Sequence, residues 1–185
     1  MRTNNDAEQI STIIRILNNV DVSEINDVKF SATRRFGNDY KTEMLTAEDF
    51  GRCLEDGLAY GIDSRGRLIA VCYGVTEDLD IHIEFIGVRQ EHEGKRYGVQ
   101  LLEHFVRLAR EQRVQRITLI TSGTAPWNRS YYEKFGFRVL DGDESELPTY
   151  IESRLASQRR HFAGMPLLLP RVAMAYDVPG SDDQR

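Results

Sequence analysis

Residues 80–112 limit what this chain can fold into more than any other part of it. Residues 80–88 are mostly apolar and read as a strand. A polar turn follows, and residues 95–112 then place Leu101, Leu102, Phe105, Val106 and Ala109 at three- and four-residue steps, the signature of a helix with one apolar face. A strand feeding directly into such a helix requires a layer of sheet under it. The N–H groups of a helix's first turn are unpaired and carry partial positive charge. Glycines beside them let a ligand approach the backbone closely. The turn and helix start, Glu93, Gly94, Lys95, Arg96, Tyr97, Gly98 and Val99, therefore form a candidate cradle for a diphosphate. The same glycines would also suit a turn that needs them for geometry alone. The spacing is neither that of a Walker loop nor that of a dinucleotide fingerprint.

The other elements fit around this unit. Strands are expected over 10–17, 58–63, 68–75, 117–121, 137–140 and 171–178. Helices are expected from 21 to about 36, from 46 to near 57, over 128–135 and over 148–161, the last a charged surface helix. Asp21 and Thr46 stand where a helix start wants an acceptor. Gly37 and Gly136 stand where a helix should stop. Residues 64–67, Ser64-Arg65-Gly66-Arg67, read as a hairpin turn. Strands in meander come first and crossovers later, which predicts an α/β (α+β) domain with a mixed, mostly antiparallel sheet flanked by helices. The domain is expected over residues 10–178, between loose polar ends at 1–9 and 179–185.

Composition excludes several function classes. A net charge of −5 argues against non-specific nucleic-acid binding, which needs a basic face. No long apolar run suggests a signal peptide or membrane span. Cys53 and Cys72, the two cysteines, lack metal-ligand spacing, so neither a disulfide framework nor a metal is implied and a cytoplasmic setting is expected. The acidic run at 141–146 reads as a solvated loop or as an entrance for a cation.

A second informative segment is Pro126-Trp127-Asn128-Arg129-Ser130-Tyr131-Tyr132-Glu133-Lys134-Phe135-Gly136-Phe137. Taken alone, Tyr132 is a packed aromatic and Asn128 a helix cap. Together with the glycine-bearing turn, the segment resembles the GCN5-related N-acetyltransferase (GNAT) family, in which an aromatic-Tyr-x-x-x-Gly-Phe run follows the fifth strand and Gln/Arg-x-x-Gly-x-Gly/Ala opens the central helix. Gly98, Tyr97, Leu101 and Leu102 match the family at that junction. Glu93 stands where Gln or Arg is usual, and Arg96 where the first glycine is usual. A glutamate there weakens diphosphate binding unless it points away. Arg96 offers its backbone N–H if its φ is negative, and its side chain can lie along a phosphate. The Pro-Trp-Asn, His82-Ile83-Glu84 and Arg171-Val172-Ala173-Met174 segments resemble a bacterial subgroup.

The resemblance implies acetyl-CoA as cosubstrate and an amine acceptor, with direct transfer in a ternary complex. Tyr132 would protonate the leaving thiolate, Asn128 would contact the pantetheine arm, and the backbone at Ile86 and Val88 would pair with that arm. Strand alternation puts His82 and Glu84 on one face with Ile86 and Val88. Glu84 is the first candidate base and His82 the second; both could equally sit on a solvated edge or bond each other. The acceptor is open: a polyamine, an aminoglycoside-like drug, an amino acid or a protein terminus. A homodimer is frequent in the resembled family. The rival readings are a non-catalytic acyl-CoA-binding module, which the departures at Glu93 and Arg96 motivate, and an unrelated α/β domain.

Overall fold

Turn chemistry and alternation build the first half of the sheet. The computed structural model describes residues 12–37, 42–140, 147–165 and 168–180. Strand β1 (Ile13–Ile16) leads into a short 3-10 turn and helix α1 (Val22–Thr33), which a second 3-10 turn (Arg34–Phe36) extends. Gly37 ends it at φ 95°, as expected. The entry cap differs from expectation. Asp21 does not cap α1; its carboxylate accepts from the Asn18 N–H and from Arg15, while Asn18 caps the turn ahead. Thr46 does cap α2 (Ala47–Glu55), accepting from the Asp49 N–H at 3.1 Å.

Strands β2 (Ala59–Ser64) and β3 (Arg67–Glu77) pair antiparallel across Arg65 and Gly66, both at positive φ, the geometry a two-residue hairpin turn needs. Next come β4 (Asp80–Val88), α3 (Tyr97–Glu111), β5 (Arg116–Ser122), α4 (Arg129–Phe135), β6 (Arg138–Val139), α5 (Thr149–His161) and β7 (Arg171–Asp177). Among the described residues one sheet runs in the order β1-β2-β3-β4-β5-β7-β6. Only the central β4–β5 pair is parallel, so the sheet is mixed and mostly antiparallel, as its sequence predicts.

Two apolar layers cover this sheet. On one face Leu101, Leu102, Phe105, Val106 and Ala109 of α3 bury against Ile81, Ile83, Ile117 and Leu119. Each fully buried side chain of this size stabilises by about 1.5–3 kcal/mol. On the other face α1 and α2 bring Ile25, Val28, Phe50 and Cys53 onto Leu68, Val71, Tyr73 and Val75. Cys53 and Cys72 are free thiols, both buried. Helix α5 packs on the β7 side through Ile151, Leu155 and Ala173. No helix of the described residues is long and apolar enough to cross a membrane.

The sheet departs from regularity where the site lies. Tyr73 faces Phe85 across the ladder, but Gly74 faces Ile83, so Glu84 is an extra residue in β4. This bulge overturns the simple alternation read from the sequence. Ile81 and Ile83 face α3 before it, and Ile86 and Val88 face α3 after it, while Phe85 joins the α1–α2 layer. His82 therefore does not share a face with Ile86 and Val88. Gly74 makes the bulge possible: a β-carbon there would stand 2.3 Å from the His82 carbonyl oxygen. The second irregularity is on the other edge of β4. Its pairing with β5 runs from Asp80/Arg116 to Ile83/Leu119 and then stops. From Phe85 to Val88, β4 is paired to β3 alone, and the bulged Glu84 pairs with neither neighbour. Gly74→Ala should cost about 2–3 kcal/mol, because the clash is with backbone that cannot rotate away; a shift in the urea midpoint measures it.

Candidate active site

The parted strands open a cleft of about 980 Å³, large enough for a sizeable ligand. Its floor is the freed edge of β4, Glu84 to Val88. At one end stands the N-terminus of α3. No side chain caps that helix, and the first N–H returned to an intrahelical carbonyl is that of Gln100, bonded to Arg96. The N–H groups of Tyr97, Gly98 and Val99 are thus open to an anion. The turn before them is tight: Gly94 has φ 75° and Arg96 φ 64°, ψ 15°. Arg96 therefore does not meet the negative-φ condition under which its N–H was expected to serve. It takes the left-handed conformation that the family's usual glycine would adopt without strain.

Opposite the tip, α4 presents Tyr132. The spacing Tyr132…Gly136-Phe137 has a physical basis. The Gly136 N–H bonds to the Glu133 carbonyl and the Phe137 N–H to the Tyr132 carbonyl, with Gly136 at φ 116°. The Phe137 ring packs edge-on against Tyr132 at 5.7 Å. This is a Schellman stop, and it fixes Tyr132 three positions from the helix end. At the other end of α4 the Asn128 carbonyl accepts from the N–H of Tyr131 and of Tyr132. The Asn128 carboxamide caps nothing; it donates to Thr121 on β5 at 3.2 Å and lines the cleft. The Tyr132 hydroxyl also lines the cleft and makes no hydrogen bond to the described residues. Burial raises its pKa well above the usual phenol range, so it stays protonated. Tyr131 lies over the helix tip, its hydroxyl so close to Gly98 that a β-carbon there would stand 2.5 Å away.

Residues 24–137 match the model of the acetyltransferase (GNAT) family. The chain belongs to this family. Solved structures share its fold. The ribosomal-protein-S18-alanine N-acetyltransferase of Escherichia coli matches with a TM-score of 0.65 at 16% identity, over 91% of this chain and 94% of that one. The PaiA N-acetyltransferase of Thermoplasma acidophilum, solved with coenzyme A, gives 0.64 at 17% identity, over 91% and 99%. The N-acetylglutamate synthase of Neisseria gonorrhoeae, solved with coenzyme A and N-acetyl-glutamate, gives 0.67 at 16% identity over 92% of this chain; the chain spans 36% of that protein's length.

In this acetyltransferase-family chain the cleft gathers Glu84, Ile86, Val88, Glu93, Gly94, Arg96, Tyr97, Gly98, Val99, Asn128 and Tyr132. Two residues singled out in the sequence lie elsewhere. Lys95 turns its ammonium toward the His92 ring, 3.5 Å away. His82 is buried beneath the cleft, its Nδ1 2.9 Å from the Thr118 hydroxyl, in a network with Tyr150, Asp80 and Arg116. Burial lowers its pKa to about 3, so the ring is neutral at physiological pH. Among the described residues no three His, Cys, Asp or Glu side chains gather where they could hold a metal ion. The acidic run at 141–146 lies outside the described residues.

Glu84 keeps a foothold in solvent, its side chain 30% exposed, although protein crowds it on most sides. That crowding raises its pKa, and Arg154 opposes the rise. Arg154 was not a candidate in the sequence, because α5 reads there as a charged surface helix. It reaches across to bond Glu84 and, at 2.8 Å, Glu77, which Arg52 also holds. No sequence spacing signals a contact between residues 84 and 154; only the packing of α5 on β7 makes it.

Two measurements test this electrostatic layout. Replacing Arg154 with Met removes the charge that opposes desolvation, so the Glu84 carboxyl should titrate at higher pH than in the native chain by carbon NMR; an unchanged or lower value would contradict the pairing. For His82 the folded pKa lies below the unfolded value of 6.5. The unfolded chain then binds the extra proton, and stability falls as pH drops below about 6.5. The slope should reach up to ~1.4 kcal/mol per pH unit, and His82→Gln should flatten it in denaturant titrations between pH 6 and 4.

Proposed function

We propose that this protein is an acetyl-CoA-dependent N-acetyltransferase that moves an acetyl group to an amine by direct transfer in a ternary complex. The observation that carries the reading is the freed β4 edge from Glu84 to Val88, set between an uncapped helix tip and a tyrosine hydroxyl that has no partner among the described residues. These features fit the parts of coenzyme A. Backbone amides of the tip, at Tyr97, Gly98 and Val99, suit the diphosphate. The open edge at Ile86 and Val88 suits the amides of the pantetheine arm, as an added strand would. Asn128 stands beside that path. Bound acetyl-CoA supplies a thioester carbonyl open to attack by an amine.

The chain's own residues supply the proton handling. An amine attacks only when neutral, and Glu84, directly or through a water it orders, accepts the proton it must lose. Its raised pKa brings it nearer the range a base needs at neutral pH. Tyr132 remains protonated and donates to the sulfur as charge develops there. Much of the rate comes from holding two substrates in register along one cleft.

Direct transfer is also favoured by the thiols. Cys53 lines the cleft, but burial pushes its pKa up to about 12, which keeps it a thiol and a poor nucleophile. An acyl-cysteine relay is therefore disfavoured, and initial-rate plots should intersect; parallel lines would point to the relay instead. Tyr132→Phe should lower kcat about 10- to 100-fold, while coenzyme A affinity by calorimetry stays within about twofold. Equal losses in both would reduce the tyrosine to a packing role. Thiol release with acetyl-CoA and a panel of amines tests the function as a whole. Coenzyme A binding with no thiol release from any amine would leave a binding module, a role in which Glu84 would stay held by Arg154.

A further inference from the structure

The glutamate in the diphosphate cradle is the feature that the proposed function leaves unexplained. Glu93 lies one residue before Gly94 and lines the cleft with the tip of α3. Left alone, its carboxylate would repel a diphosphate held there. It is not alone. Arg35, from the 3-10 turn Arg34–Phe36 that extends α1, pairs with the Glu93 carboxylate. Arg35 also lies over the Trp127 ring, 6.0 Å from its centroid, and Phe36 packs against the same ring at 5.9 Å. Three segments distant in sequence thus hold one guanidinium beside the helix tip.

The geometry points to Arg35 as a direct ligand of the donor's diphosphate, with Glu93 the group that positions it. This rests on the reading of the cleft as a coenzyme A site. A guanidinium has five N–H donors, and the contact with Glu93 engages one nitrogen. The remaining donors stay available for phosphate oxygens, which a planar fork binds well. The Arg35 and Glu93 side chains are 35% and 37% exposed, so the pair is open to the cleft and not sealed under it. Arg35, Glu93 and the helix-tip residues Tyr97, Gly98 and Val99 line the same cleft. Trp127 and Glu93 together restrict the rotamers of a long side chain that would otherwise lose entropy on binding. In this chain an arginine brought in from the α1 extension, held by the turn's own Glu93, takes over the charge role of the Gln or Arg that the turn lacks.

The alternative is that Arg35 only neutralises Glu93. A pair of variants separates the two. Once Glu93 is replaced by Gln there is nothing to neutralise, so any remaining effect of Arg35 is exerted on the ligand itself. Coenzyme A affinity is read by calorimetry on Glu93→Gln and on the double variant Arg35→Ala/Glu93→Gln. The double variant should bind about tenfold more weakly than Glu93→Gln, with a shallower salt dependence. Equal affinities overturn the inference. If the alanine form does not fold, Arg35→Gln in the same background answers the same question. Dephospho-coenzyme A, which lacks the 3′-phosphate, fixes which phosphate is held. The same tenfold loss supports the diphosphate, and a loss seen only with coenzyme A overturns that assignment. Native protein that fails to bind coenzyme A at millimolar concentration removes the acetyltransferase reading itself, an outcome distinct from any of these.

Discussion

Parallel pairing between β4 and β5 ends at Ile83 and Leu119, and everything the cleft offers follows from that break. A continuous ladder would satisfy the backbone of β4 on both edges and leave no polar edge for a ligand. The inserted Glu84 redirects the strand at the point of parting, and Gly74 across the ladder leaves the room for it. One extra residue therefore sets three things at once: where the strands diverge, which side chains face α3 beyond the bulge, and where a carboxylate enters the cleft.

Three carboxylates in or beside the cleft are met by arginines from distant elements. Glu84 is held by Arg154 of α5, Glu77 by Arg154 and Arg52, and Glu93 by Arg35. A carboxylate crowded by protein loses hydration and would otherwise protonate. At Glu84 the Arg154 guanidinium opposes that effect while the carboxylate stays in contact with solvent. Below the cleft the polar network around His82 works differently. There the ring is dry, neutral and bonded to Thr118, so it steadies β4 against β5 and does not reach a ligand.

The helices that frame the cleft are stopped by local chemistry. The Schellman stop at Gly136 fixes Tyr132, and Asn128 ties the start of α4 to β5 through Thr121. Because both anchors lie on backbone or on short polar side chains, the tyrosine ring is placed by α4 itself and not by its own contacts with a ligand. Its hydroxyl is left to bond whatever enters. The tip of α3 is likewise left without a cap, which costs the free helix some stability and keeps its donors available.

Much of this was legible in the chain alone. Residues 80–88 are the strand the sequence predicts, with the same ends, and α3, α4 and the Arg65–Gly66 turn fall where periodicity and glycine place them. Such signals are local: periodicity, caps and turn residues act over one or two turns of backbone. The turn around Gly94 and the Tyr132…Gly136-Phe137 spacing are local in the same sense, so the two ends of the cleft were visible early. Tertiary structure alone decided the rest. Strict alternation put His82 beside Ile86 and Val88, and the bulge at Glu84, set by a glycine ten residues away on the neighbouring strand, put it on the other face. Arg154 read as part of a solvated helix because nothing within a helical turn reveals that α5 packs on β7 and swings that side chain over Glu84. The left-handed φ of Arg96 and the pairing of Arg35 with Glu93 are of the same kind: they depend on which surfaces meet when the layers close, and no spacing along the chain encodes that meeting.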